Sequence, residues 1–259
     1  MRLEDQRESE NVEDRRGAGM GAGRGRLGIG GIVIALALGY FFGIDPSALM
    51  GMLDQGMPTA ASVPAGKPPA DDEMARFVSK VLSSTEDTWR DVFRQSGREY
   101  EDPKLVLFTG ATPTVYRDLR ERVEAPGEFA QAYVIAHEVG HHVQHLLGIS
   151  DRVRAARGRV GEAEANVLSV KLELQADCFA GVWGRSADTM KRLLEPGEIE
   201  QALNAAAAIG DDRLQQQSRG VVIPESFTHG SSEQRVRWSK RGFERGAPRV
   251  CDTFKAAPL

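Results

Sequence analysis

The stretch VIAHEVGHHVQHLLG (134–148) contains four of the five histidines in the 259-residue chain. On an α-helix, side chains four residues apart lie on one face, about 6 Å apart along the axis, so two imidazoles at this spacing can hold one metal ion. Two pairs have this spacing, His137 with His141 and His141 with His145. His142 lies about 100° round the helix from His141 and cannot join it.

The residue after the first histidine separates the two pairs. Glu138 follows His137 and completes the pattern H-E-x-x-H, in which the carboxylate can act as general base on a metal-bound water. The second pair has His142 at this position, which supplies no carboxylate. We therefore predict His137 and His141 as zinc ligands and Glu138 as the catalytic base. We interpret His142 and His145 as surface residues or as residues that contact a metal-ligating side chain.

A catalytic zinc ion usually has three protein ligands and one open position for water. The segment LELQADCFAGVW offers Glu173 and Asp177 four residues apart on an otherwise apolar helix. Buried carboxylates are costly unless a positive or protic group meets them. We predict Glu173 as the third ligand and Asp177 as the acceptor for the second ring nitrogen of His137. Glu162 and Glu164, in a more polar segment, are alternative ligands.

The elements that must position these residues are mostly helices. Apolar residues recur at steps of three and four over 71–97, which predicts an amphipathic helix. Further helical patterns cover roughly 127–147, 159–184, 197–217 and 231–245. KLVLF (104–108) is the one convincing strand, and a single strand cannot form a sheet. The predicted class is α+β and predominantly helical, with a small or rudimentary sheet.

The amino-terminal part predicts a membrane anchor. Residues 27–44 form an 18-residue run without charge, long enough to cross a bilayer core. We predict a disordered cytoplasmic tail over 1–26, a transmembrane signal anchor over 27–44, a linker rich in Pro, Gly and Ala over 45–70, and the folded domain over 71–259. A cleaved signal peptide or a buried core helix are the alternatives for 27–44.

Charge indicates the orientation of this segment. Four arginines precede it closely, whereas the first charges after it are acidic, a pattern that keeps the amino terminus in the cytoplasm. The predicted location is a membrane that the chain crosses once, with the domain on the exported side. The net charge of −4 gives no electrostatic reason to expect a nucleic-acid partner.

The chain resembles a bacterial family of membrane-anchored neutral zinc metallopeptidases. The likeness covers nearly its full length, including RESENVEDRRG, KLVLF, FAQAYVIAHEVGHHVQ, LELQADCFAGVW, ALNAAAAIGDDRLQ, SFTHGSSEQRVRWSKRGF and CDTF. HEVGH followed by ELQAD is also similar to the gluzincin arrangement, HExxH with a later ExxxD. The resemblance implies a zincin-like domain with His137, His141 and Glu173 as ligands and Glu138 as base. It also implies a location in the bacterial inner or cell membrane, with the domain in the periplasm or outside the cell.

A second segment, THGSSEQR, is similar to the TH-then-Arg segment of other membrane-associated gluzincins, whose residues lie beside the metal. It implies catalytic roles for His229 and Arg235, which could donate hydrogen bonds to a developing oxyanion. The alternative is a helix cap followed by surface charges, which requires no catalysis.

The chain departs from the family pattern between KLVLF and APGEFAQAY. The segment 109–126 is shorter than in the family and lacks two cysteines found there. Their joint absence suggests that they are partners, so the remaining Cys178 and Cys251 could pair with each other; two unpaired buried thiols are the alternative. If the absent residues form a substrate-binding strand, this chain keeps the metal and loses substrate binding.

The function predicted from the sequence is therefore zinc-dependent endopeptidase activity on peptides or proteins near a membrane. The alternative is a membrane-tethered interaction module that binds zinc without catalysis, its cleft impaired by the short segment 109–126. A zinc hydrolase acting on non-peptide bonds is a third reading.

Overall fold

The computed structural model describes residues 1–14, 66–107, 128–257 and 259. Within these ranges the chain is mostly helical, with one two-stranded sheet. The elements are β1 (Val12–Asp14), α1 (Glu73–Gln95), β2 (Leu105–Leu107), α2 (Glu128–Leu146), α3 (Ile149–Arg157), α4 (Glu162–Thr189), α5 (Glu198–Ala208), α6 (Asp211–Arg219) and α7 (Ser232–Arg245), with short 3-10 turns at Pro224–Ser226 and Pro248–Val250. The predominantly helical class predicted from the sequence is confirmed.

The long helix α4 lies at the centre, packed against α2 on one side and α7 on another. Its middle turns are buried on all faces, as are most of those of α2. An apolar core therefore surrounds the faces of α2 and α4 that meet each other, and polar side chains between them are withdrawn from water.

Two helical predictions differ from the structure. The pattern over 197–217 predicted one helix, but α5 ends at Ala208 and α6 starts at Asp211. Gly210 separates them because α7 begins against it: a Cβ there would lie 2.4 Å from the backbone nitrogen of Ser232. Helix α3, with a single buried residue, was not predicted because it has almost no apolar period.

The sheet is small, as predicted from the sequence. β1 and β2 are parallel strands of three residues each, with Val12 opposite Leu105. The strand predicted at 104–108 is present as β2, but its partner comes from the amino-terminal segment, for which no strand was predicted.

The prediction of a disordered tail over 1–26 is wrong for residues 1–14, which fold against α1 and β2. Glu86 in α1 is fully buried, and its carboxylate accepts hydrogen bonds from Arg7 (2.9 Å), Ser9 and Asn11 (2.9 Å). This docking rests on polar pairs between distant residues, which an apolar period cannot reveal. The backbones of Asp14 and Gly66 then pair through two hydrogen bonds of 2.9 and 3.2 Å.

This packing bears on the predicted orientation. A single membrane crossing between residues 14 and 66 would place β1 and β2 on opposite sides. The predicted orientation stays a prediction, and the pairing of β1 with β2 favours the same side for residues 1–14 and the domain. The anchor predicted at 27–44 and most of the linker at 45–70 lie outside the described residues. Among the residues that are described, no helix combines the length and the apolar character needed to span a bilayer.

Candidate metal centre

Helices α2 and α4 bring the three predicted ligands together. Nε2 of His137 lies 3.3 Å from one carboxylate oxygen of Glu173, and Nε2 of His141 lies 3.5 Å from the other. One ligand atom from each residue falls within 4.8 Å of the other two. Gly140 lets the helices approach this closely, since a Cβ at that position would meet the backbone oxygen of Ala176 at 3.0 Å.

These separations fit a zinc ion. Two ligands at about 2.0–2.1 Å from a tetrahedral zinc ion are about 3.3 Å apart. The observed 3.3 and 3.5 Å, measured to the two different oxygens of Glu173, are close to this value, and one ligand atom from each residue lies within 4.8 Å of the others. The donor set of two imidazoles and a carboxylate is one that catalytic zinc prefers. All three side chains are buried, so without a cation the site would hold a desolvated carboxylate beside two rings.

Charge within the cluster follows from its burial. Burial alone would raise the pKa of Glu173, but His141, His137 and, further away, His229 outweigh it and hold that pKa well below its usual range. Burial alone would lower the pKa of His141, whereas Glu173 raises it to about 9. The carboxylate of residue 173 is therefore ionised, as a metal ligand must be.

Glu138 is buried one residue after the first ligand. Among the described residues, its Oε1 has no hydrogen-bond partner. Burial raises the pKa of this carboxyl, and the opposite effect of the nearby His141 and His137 offsets only part of that increase. A buried carboxyl with an unused oxygen beside a metal site is suited to exchange a proton with a molecule bound there.

Asp177 lies behind His137, as predicted. Its Oδ1 is 2.8 Å from Nδ1 of His137, which directs the opposite nitrogen of the ring towards Glu173. Burial would raise the pKa of Asp177, but Arg235 and His137 lower it. The phenol of Tyr133 also donates a hydrogen bond to this carboxylate.

Arg235 contacts Asp177, the carboxylate behind His137. It is fully buried and donates two hydrogen bonds of 2.9 Å, one to each carboxylate oxygen. The predicted role of Arg235 as an oxyanion donor stays a prediction, and the contacts described here are those of a residue that supports Asp177.

His229 lies on the loop before α7, near the cluster. Nδ1 of His229 is 3.1 Å from Oδ1 of Asp211, and the other oxygen of Asp211 accepts the backbone N–H groups of Thr228, His229 and Gly230 at 2.6–3.1 Å. The sequence analysis missed Asp211. It begins α6 directly after a glycine, a position typical of a helix start, but its contact with a loop 17 residues later is tertiary.

The remaining candidates lie away from the cluster. His142 was interpreted as a surface residue or one that contacts a ligand; it is buried, packs edge-on against Tyr100 and lies 2.6 Å from the backbone oxygen of Glu101. His145 is half-buried at the end of α2. The alternative ligands Glu162 and Glu164 are exposed in the first turn of α4.

Cys178 and Cys251 form a disulfide. The bridge joins α4, one residue after Asp177, to the carboxyl-terminal segment, and both cysteines are fully buried.

Comparison with known proteins places this geometry in a family. A family model described as "Putative neutral zinc metallopeptidase" matches residues 1–115 and 112–254, nearly the whole chain. The chain belongs to this family. The two matches meet at residues 112–115, inside the segment 109–126 that the sequence analysis identified as shortened.

Relatives of the family in two bacterial groups are similar to the chain. "Uncharacterized protein YpfJ" of Escherichia coli K12 is 47% identical over 289 residues, which cover 98% of this chain and 99% of the relative. "Uncharacterized protein Rv2575" of Mycobacterium tuberculosis H37Rv is 51% identical over 142 residues, 51% of this chain and 47% of the relative. No solved structure matches the chain significantly.

Proposed function

We propose that the chain is a zinc-dependent endopeptidase with a zincin-like domain. The observation that carries this proposal is the convergence of His137, His141 and Glu173 from two buried helices, with Glu138 beside them. Membership of a family named for zinc peptidase activity supports it.

The proposed roles follow from the positions of the side chains. His137, His141 and Glu173 hold the zinc ion, which when bound supplies a Lewis acid that polarises a peptide carbonyl and lowers the pKa of water. Glu138 accepts the proton of the attacking water and delivers it to the leaving amine. Its raised pKa suits a group that must both take up and release a proton near neutral pH.

His229 is proposed to donate a hydrogen bond from Nε2 to the oxyanion of the tetrahedral intermediate. The contact between Nδ1 and Oδ1 of Asp211 would hold the ring in position for this role. The two side chains would thus place a hydrogen-bond donor where negative charge develops.

Peptides or proteins are the proposed substrates, and a membrane is the proposed second partner, with no role for nucleic acid. The uncharged run at 27–44 supports attachment to the bacterial cell membrane. The disulfide supports an oxidising compartment for the domain, outside the cytoplasm. Residues 1–14 are proposed to lie on the same side as the domain, because they are part of its fold.

Replacing Glu138 by Gln tests the proposed chemistry. The variant keeps all three ligands, so we expect it to bind zinc like the wild type while cleavage of a peptide library falls by at least about 100-fold. Glu164→Gln, at an exposed position on α4, is the matched control and should cleave normally. Unchanged cleavage by Glu138→Gln would refute the mechanism.

The same experiment separates the enzyme from the non-catalytic module. If wild-type protein binds zinc but cleaves no peptide in the library, with or without a chelator, the non-catalytic module is the better description. Such a result would fit the short segment 109–126, which lies outside the described residues.

A further inference from the structure

The second ring nitrogen of His141 faces a neutral side chain. Nδ1 of His141 lies 2.8 Å from Oε1 of Gln144, one turn further along α2, and Gln144 is fully buried. His137 is different, because its Nδ1 faces the charged carboxylate of Asp177. The two imidazole ligands are therefore oriented by different means.

Backbone carbonyls determine which way the amide of Gln144 points. Its Nε2 donates to the carbonyl of Leu172 at 2.7 Å and to Oε1 of Gln175 at 3.1 Å. A carbonyl oxygen can only accept, so the nitrogen of the amide must face Leu172 and the oxygen must face His141. Nδ1 of His141 must then carry a hydrogen. When the ring is neutral, as a metal ligand must be, the lone pair is left on Nε2, the atom beside Glu173.

Gln175 extends this chain of hydrogen bonds to the carboxyl-terminal segment. Its Nε2 donates to the backbone oxygen of Cys251 at 2.9 Å, which turns its own oxygen towards Gln144. The disulfide with Cys178 fixes the position of that carbonyl relative to α4. Every donor in this series faces an acceptor. The carbonyls of Leu172 and Cys251 therefore fix the orientation of both amides, and through Gln144 they fix which group faces Nδ1 of His141.

We propose that Gln144 and Gln175 are positioning residues that fix the tautomer of His141 for metal binding. Gln144 acts directly on the ring, and Gln175 holds Gln144 against the disulfide-bonded segment. The inference rests on the metal site of the proposed function, but it concerns zinc affinity and not cleavage.

Zinc affinity of the full chain, measured by competition with a chromophoric chelator, tests this proposal. Gln144→Leu removes the acceptor for Nδ1, and we expect zinc affinity to fall roughly 10- to 100-fold. Gln144→Glu keeps an oxygen that can face Nδ1 but loses the donor to the carbonyl of Leu172, so zinc affinity should fall in this variant too. Gln175→Leu, one step further from the metal, should lose less than Gln144→Leu.

Thr253→Val is the matched control. Thr253 is fully buried and also ties the carboxyl-terminal segment to α4, through a 2.6 Å hydrogen bond to the carbonyl of Lys171, but it does not belong to the chain of amides. It should change thermal stability without changing zinc affinity.

Two results would overturn the positioning role. One is a Gln144→Leu protein that binds zinc within about threefold of the wild type, well short of the loss expected for a lost outer hydrogen bond. The other is an equal loss of affinity in Gln144→Leu and in the control Thr253→Val. Wild-type protein that binds zinc but cleaves nothing would count against the proposed function alone, since the order of zinc affinities would still decide the role of the glutamines.

Discussion

At the scale of single residues, the site combines charged and neutral supports for its functional side chains. Asp177 supports His137, Asp211 supports His229, and Gln144 supports His141. His137, His141 and Glu138 could be predicted from spacing because they lie four residues apart on a helix or next to each other, and Glu173 could be predicted because a carboxylate is unusual on an otherwise apolar helix. Asp211 could not, because its contact with His229 depends on how α6 packs against the loop before α7.

Asp211→Asn tests the support of His229. The carboxylate of Asp211 faces Nδ1 of His229 and accepts three backbone N–H groups of its loop. Its replacement should loosen the position of the ring, so we expect kcat to fall while zinc affinity stays unchanged. The loss should not exceed the roughly 100- to 1000-fold expected for removing an oxyanion donor altogether. Asp212→Asn is the neighbouring control. Asp212 accepts hydrogen bonds from Ser232 and not from His229, so kcat should stay near the wild-type value. A normal kcat in Asp211→Asn would exclude the proposed role of this pair.

At the scale of elements, the site depends on the close approach of α4 and α7. A Cβ on Gly242 would lie 2.0 Å from the backbone oxygen of Cys178, and one on Gly181 would lie 2.1 Å from that of Ser239. This contact brings Arg235 on α7 to Asp177 on α4. Apolar periodicity predicted both helices but not their contact, since periodicity shows which face is buried and not which helix covers it.

Gly242→Ala should therefore disturb the fold and the metal site together. Because backbone atoms block the added methyl group, we expect the free energy of unfolding to fall by about 3 kcal/mol or more, at the upper end for overpacked cores. Gly161→Ala is the control, since nothing lies within 4 Å of a Cβ there. Chemical denaturation of both variants measures the difference, and equal stabilities would contradict the close packing.

At the scale of the whole molecule, the amino-terminal segment is part of the domain. The sequence analysis treated 1–26 as a tail because it is charged and glycine-rich, with no apolar period. Leu3 and Val12 are nevertheless buried, and the polar residues between them satisfy the buried carboxylate of Glu86. Such long-range polar pairs leave no local pattern, so the predominantly helical class could be predicted while the partner of β2 could not.

Labelling in the native bacterium tests this arrangement. Glu10→Cys and Gln217→Cys place one exposed thiol in the amino-terminal segment and one on α6. Both native cysteines are bonded to each other, so the introduced thiol is the reactive one. With a membrane-impermeant maleimide, we expect the two variants to behave alike: both are labelled in intact spheroplasts, or both are labelled only after permeabilisation. Labelling of the two under opposite conditions would show that a membrane separates them.

The most direct test of the central claim is the zinc content of the purified full-length chain after dialysis, compared between wild type, Glu173→Ala and Glu164→Ala. Residues 137, 141 and 173 converge on one point, whereas Glu164 lies exposed at the start of α4. We expect one zinc ion per chain in the wild type and in Glu164→Ala, and loss of the ion in Glu173→Ala. A wild-type chain without zinc, or a Glu173→Ala chain that retains it as tightly as the wild type, would contradict the account.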